Sequence, residues 1–138
     1  MATRDRFHDA VRHALVKAGW TITHDPLSLS FGGVALYIDL GAEKVIAAER
    51  EGQRIAVEIK SFSGPSLVAD FHTALGQFLN YRLALEAQDP ERQLYLAVPL
   101  DAYATFFTLP FVQTAIHRYQ LKLLVYDGQN EEITQWQS

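Results

Sequence analysis

The segment Leu94-Tyr-Leu-Ala-Val98 is a continuous apolar run. Successive side chains in a strand point to opposite faces, so such a run is stable only in a sheet covered on both sides. That requirement selects layered α/β folds over sheets with one wet face. The covering layers are legible on either side of it. Phe7, Ala10, Val11, Ala14, Leu15 and Ala18 recur at helical spacing, and Gly19 suits the position that ends a helix. Ser66 is a candidate N-cap for a second helix running to about Glu86, with a stripe of Leu67, Phe71, Leu75, Phe78, Leu79 and Leu83.

Between the two helices the periodicity changes from helical to alternating. Trp20-Thr-Ile-Thr-His24 alternates, Val34 to Leu40 alternates strictly, and Lys44 to Glu49 with Arg54 to Lys60 reads as a hairpin turning near Glu51-Gly52-Gln53. After the apolar run, Asp101 is a candidate cap for a helix that Pro110 interrupts and Phe111 to Tyr119 resumes. Leu121 to Tyr126 and Ile133 to Trp136 follow as strands around an Asp127-Gly128 turn. The expectation is one α/β domain over residues 1–138, its mixed sheet flanked by helices. At 138 residues and 49% hydrophobic, the chain can bury a core of that kind.

Composition narrows the chemistry. The chain has no cysteine, which excludes disulfides, thiol catalysis and thiolate metal sites. No apolar stretch approaches the ~20 residues that span a bilayer, and Met1-Ala-Thr-Arg-Asp-Arg6 is no signal peptide, so a cytoplasmic protein without a membrane partner is expected. A net charge of −4 argues against coating nucleic acid by bulk charge, though not against a local site.

The most specific chemical feature is Val57-Glu58-Ile59-Lys60 at the end of a strand. Alternation sends Glu58 and Lys60 to the same face, about 6.6 Å apart along the strand. A carboxylate there can hold a hard divalent cation, and an ammonium beside it can orient a water or stabilise charge on a phosphate. Alone, Glu-x-Lys is equally the solvated ion pair of a half-exposed strand. A second acid is needed, and Asp39 and Glu43 share the face of Glu58. A tight hairpin pairs residues that sum to about 103, which sets Glu58 opposite Val45 and Lys60 opposite Glu43. Asp39 would then lie about 20 Å beyond Glu58, reachable only through a bend at Gly41-Ala42.

On the second helix, Gln77 and Tyr81 form an i,i+4 pair, flanked by Asn80 and Arg82, that can present an amide and a phenol to the same site. The plain alternative is a polar helix edge and a core aromatic. Lys44, Arg50, Arg54 and Lys60 offer a local basic edge. His8, His13, His24, His72 and His117 show no metal-ligand spacing. Ser61 to Ser66 is not an esterase elbow, and Ser30-Phe-Gly-Gly-Val34 is neither a P-loop nor a dinucleotide fingerprint. Tyr103, Phe106, Phe107 and Phe111 read as core, or as a face for a partner.

An acid on the second strand, Glu58-Ile-Lys60 on the third and Gln77-x-x-x-Tyr81 on the following helix resemble the PD-(D/E)XK nuclease superfamily. More closely, the chain resembles the XisH family of fdxN element excision controlling factors. The carrying segments include Phe7-His-Asp9, Gly19 to Pro26, Tyr37 to Lys44, Ala56 to Phe62, Phe71 to Arg82 and Phe106 to Gln113. The resemblance implies a restriction-endonuclease-like α-β-β-β-α-β core. It also implies a role in excising a DNA element beside a site-specific recombinase and an XisI-type partner protein. In the superfamily pattern Asp39 and Glu58 would bind Mg²⁺ or Mn²⁺ with the Ile59 backbone carbonyl, and Lys60 would position the water. Gln77 would assist, Glu43 is the alternative ligand, and Asp9 is a candidate for an acid that some branches carry on the first helix. Asp39 departs from the pattern in lacking a preceding proline and in standing nineteen residues before Glu58.

Three readings follow: a metal-dependent deoxyribonuclease that cuts phosphodiesters, a non-catalytic accessory protein that binds DNA or a partner, and a homo-oligomeric α/β protein whose site is unused.

Overall fold

The computed structural model describes residues 3–44 and 52–137. Helix α1 (Thr3–Lys17) leads into strands β1 (Thr21–His24), β2 (Leu27–Phe31), β3 (Val34–Ile38), β4 (Leu40–Lys44) and β5 (Gln53–Ile59). Helix α2 (Leu67–Gln88) and strand β6 (Gln93–Pro99) follow. A short helical turn α3 (Leu100–Ala102) runs into a π-helical turn (Tyr103–Phe107), then α4 (Pro110–Tyr119), β7 (Leu123–Asp127) and β8 (Glu132–Gln137) complete the chain.

Six strands form one sheet in the order β1-β4-β5-β6-β7-β8. β5, β6 and β7 are mutually parallel and the outer pairs are antiparallel, so the sheet is mixed. With the separate β2–β3 hairpin set aside, α1-β1-β4-β5-α2-β6 is the expected α-β-β-β-α-β order. The apolar run of β6 lies between β5 and β7 with Leu94, Leu96 and Val98 in one core and Tyr95 and Ala97 in the other. α2, the π-helical turn and α4 cover the first face, where Phe71, Phe78, Phe106 and Phe107 pack together. α1 covers the second face through Val11 and Leu15. Each layer hides one parity of the strands.

Local signals act as expected at two helix ends. The Trp20 N–H donates to Leu15 O and the Gly19 N–H to Val16 O, a Schellman closure that Gly19 permits with φ +96°. Ser66 caps α2 by accepting from the Ala69 N–H at 3.2 Å.

Several expectations are corrected. The alternating run 34–40 is not one strand: it breaks at Asp39, and its halves join different sheets. Ile38 belongs to one core and Leu40 to the other, because the chain changes face between them. The β4–β5 ladder pairs residues summing to 97, with Leu40 opposite Val57 and Glu43 opposite Arg54. The pairing is centred between positions 48 and 49 rather than near Gly52, and that offset displaces the register. Most of the expected strand Lys44 to Glu49, with Val45, and also Arg50 and Glu51, lie outside the described residues.

Asp101 sits inside α3 rather than capping it, and Pro110 begins α4 rather than interrupting a helix. Leu83 is exposed, and the α2 stripe runs through Ala74, Phe78 and Leu85 instead. Phe106 and Phe107 are core, whereas Phe111 is exposed. No helix among the described residues is long and apolar enough to cross a membrane.

Because α2 carries two candidate site residues, its start matters for the site. Ser66→Ala leaves the Ala69 N–H without its cap and should lower stability by about 1 kcal/mol, while Ser66→Asp should retain it. The shift in the midpoint of urea unfolding measures the difference.

Candidate metal and phosphodiester site

The ladder between β4 and β5 does not stop at Leu40↔Val57. One step further its register sets Asp39 against Glu58, and there the side chains supply the rungs. The Asp39 N–H donates to Glu58 Oε1 at 3.2 Å, and the Ile59 N–H donates to Asp39 Oδ2 at 2.8 Å. Each carboxylate therefore holds backbone of the opposite segment. Both residues are nearly enclosed, Asp39 7% and Glu58 6% exposed. No bulge at Gly41-Ala42 is needed to bring them together: the β4–β5 ladder is regular there.

Lys60 Nζ stands 3.5 Å from Glu58 Oε2, on the shared face that alternation predicts. The Lys60 N–H continues the sheet by donating to Ala97 O. Just beyond, Phe62 adopts φ +51°, a left-handed conformation that costs a bulky residue on the order of 1–3 kcal/mol. Its ring is held against Phe107 at 5.0 Å and near Phe106. That aromatic anchor turns the chain sharply at the end of β5.

These groups line a cavity of about 440 Å³. Ser61 and Ser63 flank it from the β5 end, Gln77 and Tyr81 face it from α2, Tyr37 from β3, and Phe7 and His8 from α1. The side-chain oxygen of Gln77 is buried with no hydrogen-bond partner among the described residues. A larger cavity of about 640 Å³, lined by Arg6, Leu100, Asp101 and Asp127 among others, lacks a paired carboxylate and lysine. Chemistry, not volume, distinguishes the first.

Burial raises the Glu58 carboxyl to about 7, reinforced by the neighbouring Asp39 charge. Lys60 and the Asp39 N–H pull the other way without cancelling it. Two enclosed carboxyls side by side are suited to share a cation.

The other sequence candidates fall elsewhere. Glu43 opposes Arg54, four residues short of Glu58 along β5 or about 13 Å, so it does not stand beside Glu58 as the tight-hairpin register suggested. Asp9 is exposed and does not line the cavity. The basic edge dissolves. Lys44 bonds Ala18 O and lies over Trp20 on the α1 side, and Arg54 pairs with Asp89 at 2.6 Å. Arg82 bonds the carbonyls of Tyr119 and Gln120, and Asn80 is exposed. Among the described residues of that set, Lys60 alone lines the cavity, and Arg50 lies outside them.

His8 is a residue that spacing does not reveal. It lines the cavity and bonds Asp25 at 2.8 Å, while Arg12 bonds the other oxygen of Asp25. Tyr37 is the other such residue. Both arrive through the packing of distant segments, which no local pattern encodes.

The XisH protein family model matches residues 1–134. The chain belongs to the XisH family. Its architecture matches the crystal structure of an XisH family protein from Nostoc punctiforme PCC 73102, with 52% identity, a TM-score of 0.88, and coverage of 97% of this chain and 100% of that one. An fdxN element excision controlling factor protein from Anabaena variabilis matches with 53% identity and a TM-score of 0.88, covering 98% of this chain and 100% of that one. No curated relative matches the chain.

The raised Glu58 group gives a pH dependence with a definite sign. Between its ordinary 4.5 and about 7, the folded chain holds a proton that the unfolded chain has released. The stabilisation is complete at low pH and lost as pH rises through about 7. In chelator, Glu58→Gln should be more stable than the parent at pH 8 by about 3 kcal/mol at most, with the gap closing at pH 5. Urea unfolding at the two pH values tests this.

Proposed function

We propose that this chain is an excision controlling factor whose Asp39–Glu58 cavity binds Mg²⁺ or Mn²⁺ and hydrolyses a DNA phosphodiester. The reciprocal bonding of Asp39 and Glu58 beside Lys60 carries this reading. Asp39, Glu58 and the Ile59 carbonyl are the ligands the family resemblance assigns to the metal. Their donor set, oxygen only, suits a hard cation that keeps several waters. The unpartnered Gln77 oxygen supports it further, since a buried acceptor without a donor is what a bound water satisfies.

When bound, the cation lowers the pKa of water and polarises a phosphate oxygen. Lys60 contributes a positive charge where negative charge accumulates on phosphorus. Gln77 Oε1 accepts a hydrogen from the attacking water and fixes its orientation. Tyr81 and Ser61, on the cavity wall, would contact the phosphodiester. Water forms the new bond to phosphorus and the 3′ oxygen departs, leaving a 5′-phosphate and a 3′-hydroxyl.

A second reading rests on charge. Among the described residues Lys60 is the one lysine or arginine lining the cavity, in a chain of net charge −4, which is little to grip a duplex. On this reading the chain is a non-catalytic accessory that meets DNA in company with a site-specific recombinase or an XisI-type protein.

Calorimetric titration with Mn²⁺ should show binding that strengthens from pH 6 to pH 8 and falls at least about tenfold in Asp39→Asn. Lys60→Met should keep the metal and lose about 10²-fold in nicking of plasmid DNA. Nicking that persists in Lys60→Met overturns the catalytic reading. Metal binding with no nicking in the parent favours the accessory one.

A further inference from the structure

The β2–β3 hairpin stands outside the six-stranded sheet, and its two outer edges are treated differently. Its two-residue turn has Gly32 at φ +59° and Gly33 at φ +86°, the positive values a type I′ turn needs at both positions. Phe31 and Val34 close that turn as a hydrogen-bonded pair. Alternation then makes Ser30↔Ala35 and Ser28↔Tyr37 the non-bonded pairs, whose N–H and C=O groups point away from the hairpin.

On the β2 side this outward edge is occupied. The Ser30 N–H donates to Gln88 Oε1 at 3.3 Å, and Gln88 Nε2 donates back to Ser30 O, so one α2 side chain imitates a neighbouring strand. On the β3 side, Ala35 and Tyr37 present the same groups, and among the described residues no strand pairs with that edge.

Free edges are usually blunted by charge, proline or a bulge. The segment Leu27 to Ile38 has no charged residue and no proline, in a chain that is 20% charged. Its β2–β3 register is unbroken, and Val34 and Tyr37 are 54% and 59% exposed.

We propose that β3 pairs antiparallel with β3 of a second copy, about a twofold axis at Leu36. In this register Ala35 of each copy exchanges both backbone hydrogen bonds with Tyr37 of the other. All four outward groups of each edge are satisfied together. A twofold contact sets a surface against itself, so any charge on it would face a like charge nearby; this strand has none. The side chains are complementary in size, the Tyr37 ring lying over the small Ala35 of the partner strand. The pairing stands independently of the cavity's chemistry. Because Tyr37 also lines the Asp39–Glu58 cavity, it brings the rims of two such cavities to one interface.

Sedimentation equilibrium of the full chain over a concentration series should give twice the chain mass. Ala35→Pro removes an N–H that the hairpin itself does not use, so it should halve that mass with unchanged circular dichroism. The absence of cysteine allows a direct check of register. Leu36→Cys sets two thiols across a non-hydrogen-bonded pair, with Cα atoms about 4.5 Å apart, and should cross-link readily on oxidation. Ala35→Cys sets its two copies about 8 Å apart, beyond disulfide reach, and should cross-link at least about tenfold more slowly. A single-chain mass at every concentration overturns the proposal, including the case in which this edge receives a strand from a different protein. So does a dimer that a folded Ala35→Pro leaves intact, or equal cross-linking at 35 and 36. If Ala35→Pro does not fold, the two cysteine variants decide the matter.

Discussion

Asp39 and Glu58 exchange hydrogen bonds with each other's backbone where the chain passes from one sheet into the other. This lock extends the β4–β5 ladder past its last backbone rung and fixes where β3 must leave. It also encloses two carboxylates side by side, which ordinary core packing avoids because each ionised group repels the other. Burial first and the Asp39 charge second raise the Glu58 pKa there. Structure and chemistry here are one arrangement: the bonds that join the segments also aim the acids into the cavity.

The rest of the molecule holds that arrangement still. β6 carries apolar side chains on both faces and lets helices stack on either side of the sheet. α2, packed against β2 and β6, then brings Gln77 and Tyr81 to the acids, while α1 brings His8 from the other side. Phe62, in its left-handed conformation, ties the chain after Lys60 to Phe106 and Phe107. A strained residue fixed by aromatic packing directly beside a charged cluster is a common way to make such a cluster rigid.

The instructive error concerns register. Supposing a tight turn near Gly52 paired residues summing to 103, whereas they sum to 97. The six-residue displacement moves Glu43 away from Glu58 and brings Asp39 beside it. Because six is even, the displacement leaves every side chain on its expected face. Which acids could share a face with Glu58 was therefore legible from alternation, while the choice of Asp39 over Glu43 came from the family resemblance and not from the register. The single strand read across 34–40 failed for a related reason. Alternation reports a half-covered surface, but not which sheet covers it.

The sequence alone determined the two long helices with a β-rich stretch between them, the two-sided burial of β6, the common face of Glu58 and Lys60 and the resemblance to the XisH family. Each of these is a periodicity or a short motif, set by backbone geometry within a few residues. Only the tertiary structure decided that Asp39 rather than Glu43 lies against Glu58, that Lys44 and Arg54 turn away, that His8 and Tyr37 line the same cavity, and that no described strand pairs with the outer edge of β3. Those outcomes depend on where the chain reverses between β4 and β5 and on how distant segments pack, and neither is written into the residues that meet.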